Sequence, residues 1–272
     1  MTETPLLFDR AALAARRARA SSDALFLHRA ACDEVQDRLS MVNRTFTASA
    51  VVTPFADFWS VEFPDARIVP DSDILDLAPE GFDLIVHAMA LHWANDPVGQ
   101  LVQCRRALRP DGLLLAILPG GRTLRELRAV LGQAEIAVAG GLSPRIAPMA
   151  EIRDLGALLQ RAGLALPVAD AVDLTAEYRD LRHLMHDLRA MGETNVMAAR
   201  LHRPTRRAVF EAAETLYREN FATPEGRLPA TFELVCLTGW APADTQPKPL
   251  RPGSAQARLA DALRTTETGL PD

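Results

Sequence analysis

The chain has 272 residues with a net charge of −5, and 48% of it is hydrophobic against 24% charged, which is enough apolar material for one large domain or two small ones. The acidic balance excludes a general nucleic-acid binder and leaves only local basic patches open. Cys32, Cys104 and Cys236 lack paired spacing, so neither a disulfide framework nor a zinc site is indicated, and a reducing cytoplasm fits. No apolar run approaches the ~20 residues needed to cross a bilayer, and the start of the chain lacks a signal-peptide core, so a soluble protein is expected.

Residues 1–44 read as helical. Asp9 can cap Arg10–Ala20, and Asp23 can cap a longer helix with Leu27, Ala31, Val35 and Leu39 on one side. Arg10, Arg16, Arg17 and Arg19 form the only dense basic run. A solvated helix face is the plainer reading, and docking to an acidic partner or a membrane surface the sharper one. A first strand ends near Thr53. Gly81–Gly121 then holds a whole β-α-β unit: Leu84-Ile85-Val86 as a strand covered on both faces, Asp96 as N-cap with Pro97 at the first helical position, Leu101, Val102, Arg105 and Leu108 at helical spacing, a turn at Arg109–Gly112, and a second apolar strand over Leu113–Leu118. Such a parallel pair predicts a right-handed crossover in an open α/β sheet.

Thr123 with Glu126 makes a capping box for a helix reaching about Ala139, and Gly140–Arg145 is a loop signal. Glu151–Gly163 is amphipathic and helical, Leu166–Leu174 a strand, and Asp180–Met191 a helix. That helix sets His183 and His186 three apart, but no third ligand accompanies them and no metal site is assigned. Pro204–Phe221 is a helix and Ala230–Trp240 the closing strand. We expect one domain over 1–245, with 1–44 as a helical cap on an α/β core at 45–245, and a proline-rich tail at 246–272.

The segments FDLIVHAMALHW and ALRPDGLLLAIL resemble the second half of a class I S-adenosylmethionine (SAM) dependent methyltransferase. Gly120–Leu127, Gly140–Pro148, Met191–Asn195, Pro229–Glu233 and Thr238–Trp240 narrow the likeness. Together they are similar to the methyltransferase-like assembly factors of respiratory complex I and their alphaproteobacterial relatives, and more distantly to the malonyl-carrier-protein methyltransferase of biotin synthesis. The likeness runs from Phe8 to about Ser254. It implies a Rossmann-like, mostly parallel sheet with an antiparallel last strand, SAM as cofactor, an N-terminal segment that lids the SAM pocket, and a protein partner, with a complex I subunit as candidate.

That family needs a glycine-rich turn near residue 53, because only residues without a Cβ let the backbone approach the cofactor. Thr47–Trp59 holds no glycine, places Pro54 in the turn, and brings Phe55, Phe58 and Trp59 to fill the cofactor's volume. Between this turn and Gly81 the chain is about two dozen residues shorter than the family pattern, roughly one strand and one helix. The carboxylate that holds the ribose is therefore expected to be lost. Ile68–Asp73 matches the acidic turn that contacts adenine, which makes Asp71 and Asp73 cofactor candidates beside the plainer reading of turn aspartates.

Thr53, His87, Ala88 and Trp93 complete the cofactor candidates, and His87, His92 and Glu193 are the catalytic candidates. His87 to Trp93 lie where an open sheet places its crevice, suited to acid-base chemistry or stacking, although His92-Trp93 can equally pack the loop on its helix and His87 can obstruct. Arg122 stands where the family usually has an acid beside the pocket, and Arg145 and Asn195 are further polar candidates. Three functions follow: a SAM-dependent transferase on an altered cofactor loop, a non-catalytic binding or assembly scaffold, and an arginine-hydroxylating assembly factor.

Overall fold

A computed structural model describes residues 6–247 and 265. The chain divides into two compact units, Met1–Pro242 and Ala243–Asp272, and the architecture that follows is that of the first. Most of the tail expected at 246–272 lies outside the described residues.

In chain order the elements are α1 (Arg10–Arg17), α2 (Phe26–Met41), β1 (Ser49–Val52), α3 (Ala56–Glu62), β2 (Arg67–Val69), β3 (Phe82–Ala88), α4 (Pro97–Ala107), β4 (Leu108–Pro119), α5 (Arg125–Ala139), α6 (Ile152–Arg161), β5 (Ala165–Tyr178), α7 (Leu181–Ala190), α8 (Arg207–Phe221) and β6 (Leu228–Trp240). The strands form one six-stranded sheet in the order β2-β1-β3-β4-β6-β5. The first four are mutually parallel, with Val52 opposite Val69 and His87 and Ile85 opposite Leu114. The last strand, β6, runs antiparallel to both β4 and β5. This is the mostly parallel methyltransferase-type sheet that the sequence predicts.

Both faces of the central strands are apolar because both are covered. Val51, Leu84 and Val86 face α2, α5, α7 and α8 through Val35, Val130, Leu184 and Tyr217. Ala50, Val52 and Ile85 face α4 and α6 through Leu101 and Leu159. All seven residues of β3 are buried.

The local signals for α4 hold: Asp96 accepts from the Gly99 amide at 2.7 Å with Pro97 following. Others yield to longer-range partners. The turn expected at Arg109–Gly112 is instead the start of β4, because Asp111 and Gly112 pair with the end of β6 through Ala241, at 3.1 and 2.8 Å. Asp23 does not cap α2. It sits in a separate 3-10 turn, Ser22–Ala24, and α2 begins at Phe26 without a side-chain cap.

The capping box at Thr123 and Glu126 is not made either. The Thr123 hydroxyl donates to the Glu233 carbonyl at 3.1 Å and accepts from its amide at 3.0 Å, and Glu126 accepts from the Thr231 amide and hydroxyl at 3.1 and 2.6 Å. Buried donors on β6 outcompete the helix's own amides, and α5 starts after Leu124 in a left-handed conformation.

Between β1 and β3 lie one helix and one short strand. β2 pairs directly with β1, so Pro70-Asp71 follows the strand next to β1. In doubly wound sheets an acid that follows this strand can reach a bound ribose, and Asp71 stands at that position in the sheet.

Candidate functional site

The carboxyl ends of β1 and β2 open on a crevice, and α1 lies across it. A cavity of about 450 Å³ remains between them, with Thr53, Pro54, Ile68, Pro70 and Asp71 on one side and Arg10, Leu13 and Arg17 on the other. Asp71 is 8% exposed. Both terminal nitrogens of Arg10 lie 3.3 Å from its Oδ2, Arg10 also donates to its backbone carbonyl, and Arg17 Nη1 donates to the same Oδ2 at 2.7 Å. Asp73 is largely exposed and lies 3.9 Å from Arg10 Nε.

A local cap and contacts from distant segments hold α1 there. Asp9 caps it by accepting from the Ala12 amide at 2.9 Å and pairs with Arg200 at 2.8 Å. Asn95 brackets the backbone of Phe8 at 2.8 and 3.1 Å, and the Phe8 ring meets Trp93 edge-on at 5.0 Å. Arg10 and Arg17 are seven apart and share the face that buries Leu13. The solvated basic face expected of this run is therefore only part of the picture, since two of its four arginines turn inward. Their i, i+7 spacing around Leu13 is the signal that identifies them.

The aromatics at 55–59 pack toward α2. Trp59 is fully buried and donates through Nε1 to His28 Nδ1 of α2 at 3.1 Å, while Phe55 meets the same imidazole edge-on at 4.8 Å. Neither they nor Phe58 line the cavity. Thr53 is buried at its wall and accepts from the Phe55 amide at 3.3 Å.

A second cavity, of about 510 Å³, opens between the 3-10 turn Leu91–Trp93, α5, α7 and the loops at 144–149 and 193–205. At its polar end Glu193 Oε2 accepts from Trp93 Nε1 at 2.6 Å and lies 3.1 Å from His92 Nε2. Burial opposes the charge on Glu193, but its contact with His92, the Arg17 cation and the Trp93 hydrogen bond outweigh it and hold its pKa down to about 2. Its other oxygen, Oε1, is buried with no partner among the described residues.

Arg145 lines the same cavity but is tied to Glu135 at 2.5 Å and Thr205 at 2.6 Å. Glu135, despite burial, is held to about 2 by Arg145 and Ser143. Asn195 donates to the Pro144 carbonyl at 2.7 Å, which fixes one wall. Leu27, Leu127, Met185 and Phe232 give it apolar surface, while Arg16 and Arg189 bring charge.

The structure thus brings together His92, Trp93 and Glu193, and separately Thr53 and Asp71. His87 and Ala88 line neither cavity. His87 is fully buried, Nε2 lies 2.7 Å from Gln100 Oε1, and burial lowers its pKa. Arg122 lines neither cavity and pairs with Asp173 of β5 at 2.6 Å. Among the described residues no group of three or more His, Cys, Asp or Glu is placed to hold a metal ion.

A methyltransferase-domain family model matches residues 23–116. Arginine-hydroxylase NDUFAF5 of Danio rerio is 34% identical over 224 residues, covering 81% of this chain and 68% of that protein. A malonyl-[acyl-carrier protein] O-methyltransferase of Laribacter hongkongensis is 34% identical over 178 residues, 65% of this chain and 57% of that one. Among solved structures, a putative methyltransferase from Bacillus halodurans matches at 12% identity over 78% of this chain and 99% of that one, with a TM-score of 0.48. The sheet, its crevice and the matched domain define a class I methyltransferase-fold protein. Within that class, the chain belongs to the NDUFAF5 family. It spans 60 to 68% of the length of the fish, rat, mouse and human members it matches.

Among the described residues no helix is long and apolar enough to cross a membrane, and the Danio rerio relative is named as mitochondrial.

Proposed function

We propose that this chain is a methyltransferase-fold binding protein that serves a protein partner, with a respiratory complex I subunit as candidate, without loading SAM in the fold's usual mode. The observation that carries this reading is the state of Asp71. A carboxylate at the end of the strand beside β1 takes ribose hydroxyls when a nucleoside cofactor binds. Here its Oδ2 accepts from Arg10 and Arg17. A ribose approaching Oδ2 would compete with charge-assisted bonds of about 1.5–3 kcal/mol each.

The turn at 53–55 supports the same reading. It has no glycine for close approach, and Pro54 has no amide to donate. The residues present do not fit SAM in that mode, and no chemical step is derived through it. Partner binding is assigned to the 510 Å³ cavity, where Arg16 and Arg189 make no ion pair among the described residues and complement an acidic partner segment. The three cysteines are free and buried, which supports a reducing compartment such as the cytoplasm.

The test is to incubate the purified protein with methyl-tritiated SAM and the candidate subunit. The reading expects a stable complex with no label transferred, and label on the subunit would overturn it.

Glu193 favours a second reading, in which a partner arginine is modified. An ionised, buried carboxylate with one oxygen unpartnered among the described residues suits a guanidinium, and the relatives are named arginine hydroxylases. Mass spectrometry of the partner after co-expression decides it. An added oxygen on an arginine that disappears with Glu193→Gln supports the reading, and an unmodified partner sinks it.

A further inference from the structure

We propose that the 510 Å³ cavity also receives a small amphiphilic anion, a medium-chain fatty carboxylate, whose head pairs with Arg16 and Arg189 while its chain lies on the apolar wall. This goes beyond the partner reading and does not depend on it. Both arginines line the cavity and reach solvent, Arg189 being exposed and Arg16 half-buried. Their turns adjoin. Arg16 is in the last turn of α1 and Arg189 in the last turn of α7. The Ser21 amide donates to the Ala190 carbonyl at 2.8 Å, and Gly192 lies so close to α1 that a Cβ there would come within 3.2 Å of Arg17 Cα. Neither guanidinium makes an ion pair or hydrogen bond among the described residues.

The charges around the cavity leave these two in excess. Arg145 is matched by Glu135 and Arg200 by Asp9. Glu193 is the one acid among the described lining residues, and its Oε2 is already engaged by Trp93 and His92. Asp187, two residues before Arg189, accepts from the Tyr178 hydroxyl at 2.7 Å. Two unpaired guanidinium groups against one bonded carboxylate favour an anionic head. The walls set the opposite requirement for the body. Ile146, Met149, Met185, Leu201 and Phe210 line the cavity and are each only half-buried, so apolar surface stays in contact with water that a hydrocarbon chain would displace. The two methionines let that wall adapt to the chain. Asn195 and Thr205 are engaged within the wall by Pro144 and Arg145, so they do not call for a polar body. The volume lies inside the range of about 300–1,000 Å³ typical of small-molecule sites.

The experiment is calorimetric titration of the full chain with decanoate, octanoate, decanol and decyltrimethylammonium, each below its solubility and micelle limits. The wild-type protein is compared with a variant carrying Arg16→Gln and Arg189→Gln together, and circular dichroism confirms that the variant is folded. The expected result is saturable binding of decanoate. Decanol lacks the charge and the double variant lacks the cations, so either change should weaken binding by about tenfold or more. Octanoate, two methylenes shorter, should bind about tenfold more weakly than decanoate. No saturable heat with decanoate at millimolar concentration, decanol binding as tightly, or decanoate binding that the double variant leaves unchanged overturns the proposal. Preference for decyltrimethylammonium overturns it in favour of a cation at Glu193. Mixing with the candidate subunit keeps the two readings apart. A subunit complex formed by a chain that does not bind decanoate sinks the amphiphile and keeps the partner reading, whereas decanoate binding without such a complex does the reverse.

Discussion

Asp71 follows the strand beside β1 and is buried. It is held by Arg10 and Arg17 in a place where charges are poorly solvated, and removing one member of such a group leaves the others uncompensated. Asp71→Ala should therefore lower stability in urea by about 2–4 kcal/mol, and a loss under about 0.5 kcal/mol would show that the arginines have water to turn to.

His28 carries the pH dependence at this scale. Burial pushes its pKa down to about 4, so the unfolded chain takes up its proton first as acid is added. Stability from this group is complete above about pH 6.5 and falls as pH drops to about 4, by roughly 3 kcal/mol in all. His28→Gln keeps an acceptor for the Trp59 indole and should flatten the melting profile over that window. An unchanged profile would place the titration elsewhere. In sequence, Arg10 and Arg17 read as part of a solvated basic run, because the group that turns them inward lies more than fifty residues away.

At the scale of elements, what was legible is what is local. Asp96-Pro97 starts α4 and Asp9 starts α1 as their sequences predict. Signals whose side chains found distant partners misled: Thr123 and Glu126 serve β6 rather than α5, and Asp111 joins a strand pairing rather than a free turn. Asp9 and Asp23 test this contrast. Asp9→Ala removes a cap and an ion pair to Arg200 and should cost about 1–2 kcal/mol, whereas Asp23→Ala, which loses no cap, should stay within about 0.5 kcal/mol. Equal effects in thermal melts would mean that α1 is not anchored by its cap. Loosening α1 also exposes Asp71, so Asp9→Ala should be the more proteolytically sensitive of the two.

For the whole molecule, the sheet was readable because its strands are continuous apolar runs punctuated by strong turn and cap residues, as at Gly81–Gly121. The site was readable only in part. His92 and Trp93 were singled out on one loop and Glu193 a hundred residues on, and they converge on the Glu193 carboxylate, but the two-cavity arrangement depends on where α1 lies across the sheet, and no local pattern encodes that. The scaffold is that of a methyltransferase, and two arginines of α1 pair with Asp71 at the wall of its crevice.

The central claim is tested most directly by isothermal titration of the purified protein with SAM and with S-adenosylhomocysteine. The account predicts no saturable heat at millimolar ligand. Micromolar binding that weakens about tenfold or more in Asp71→Ala would contradict it, because Asp71 would then be free to hold the ribose after all.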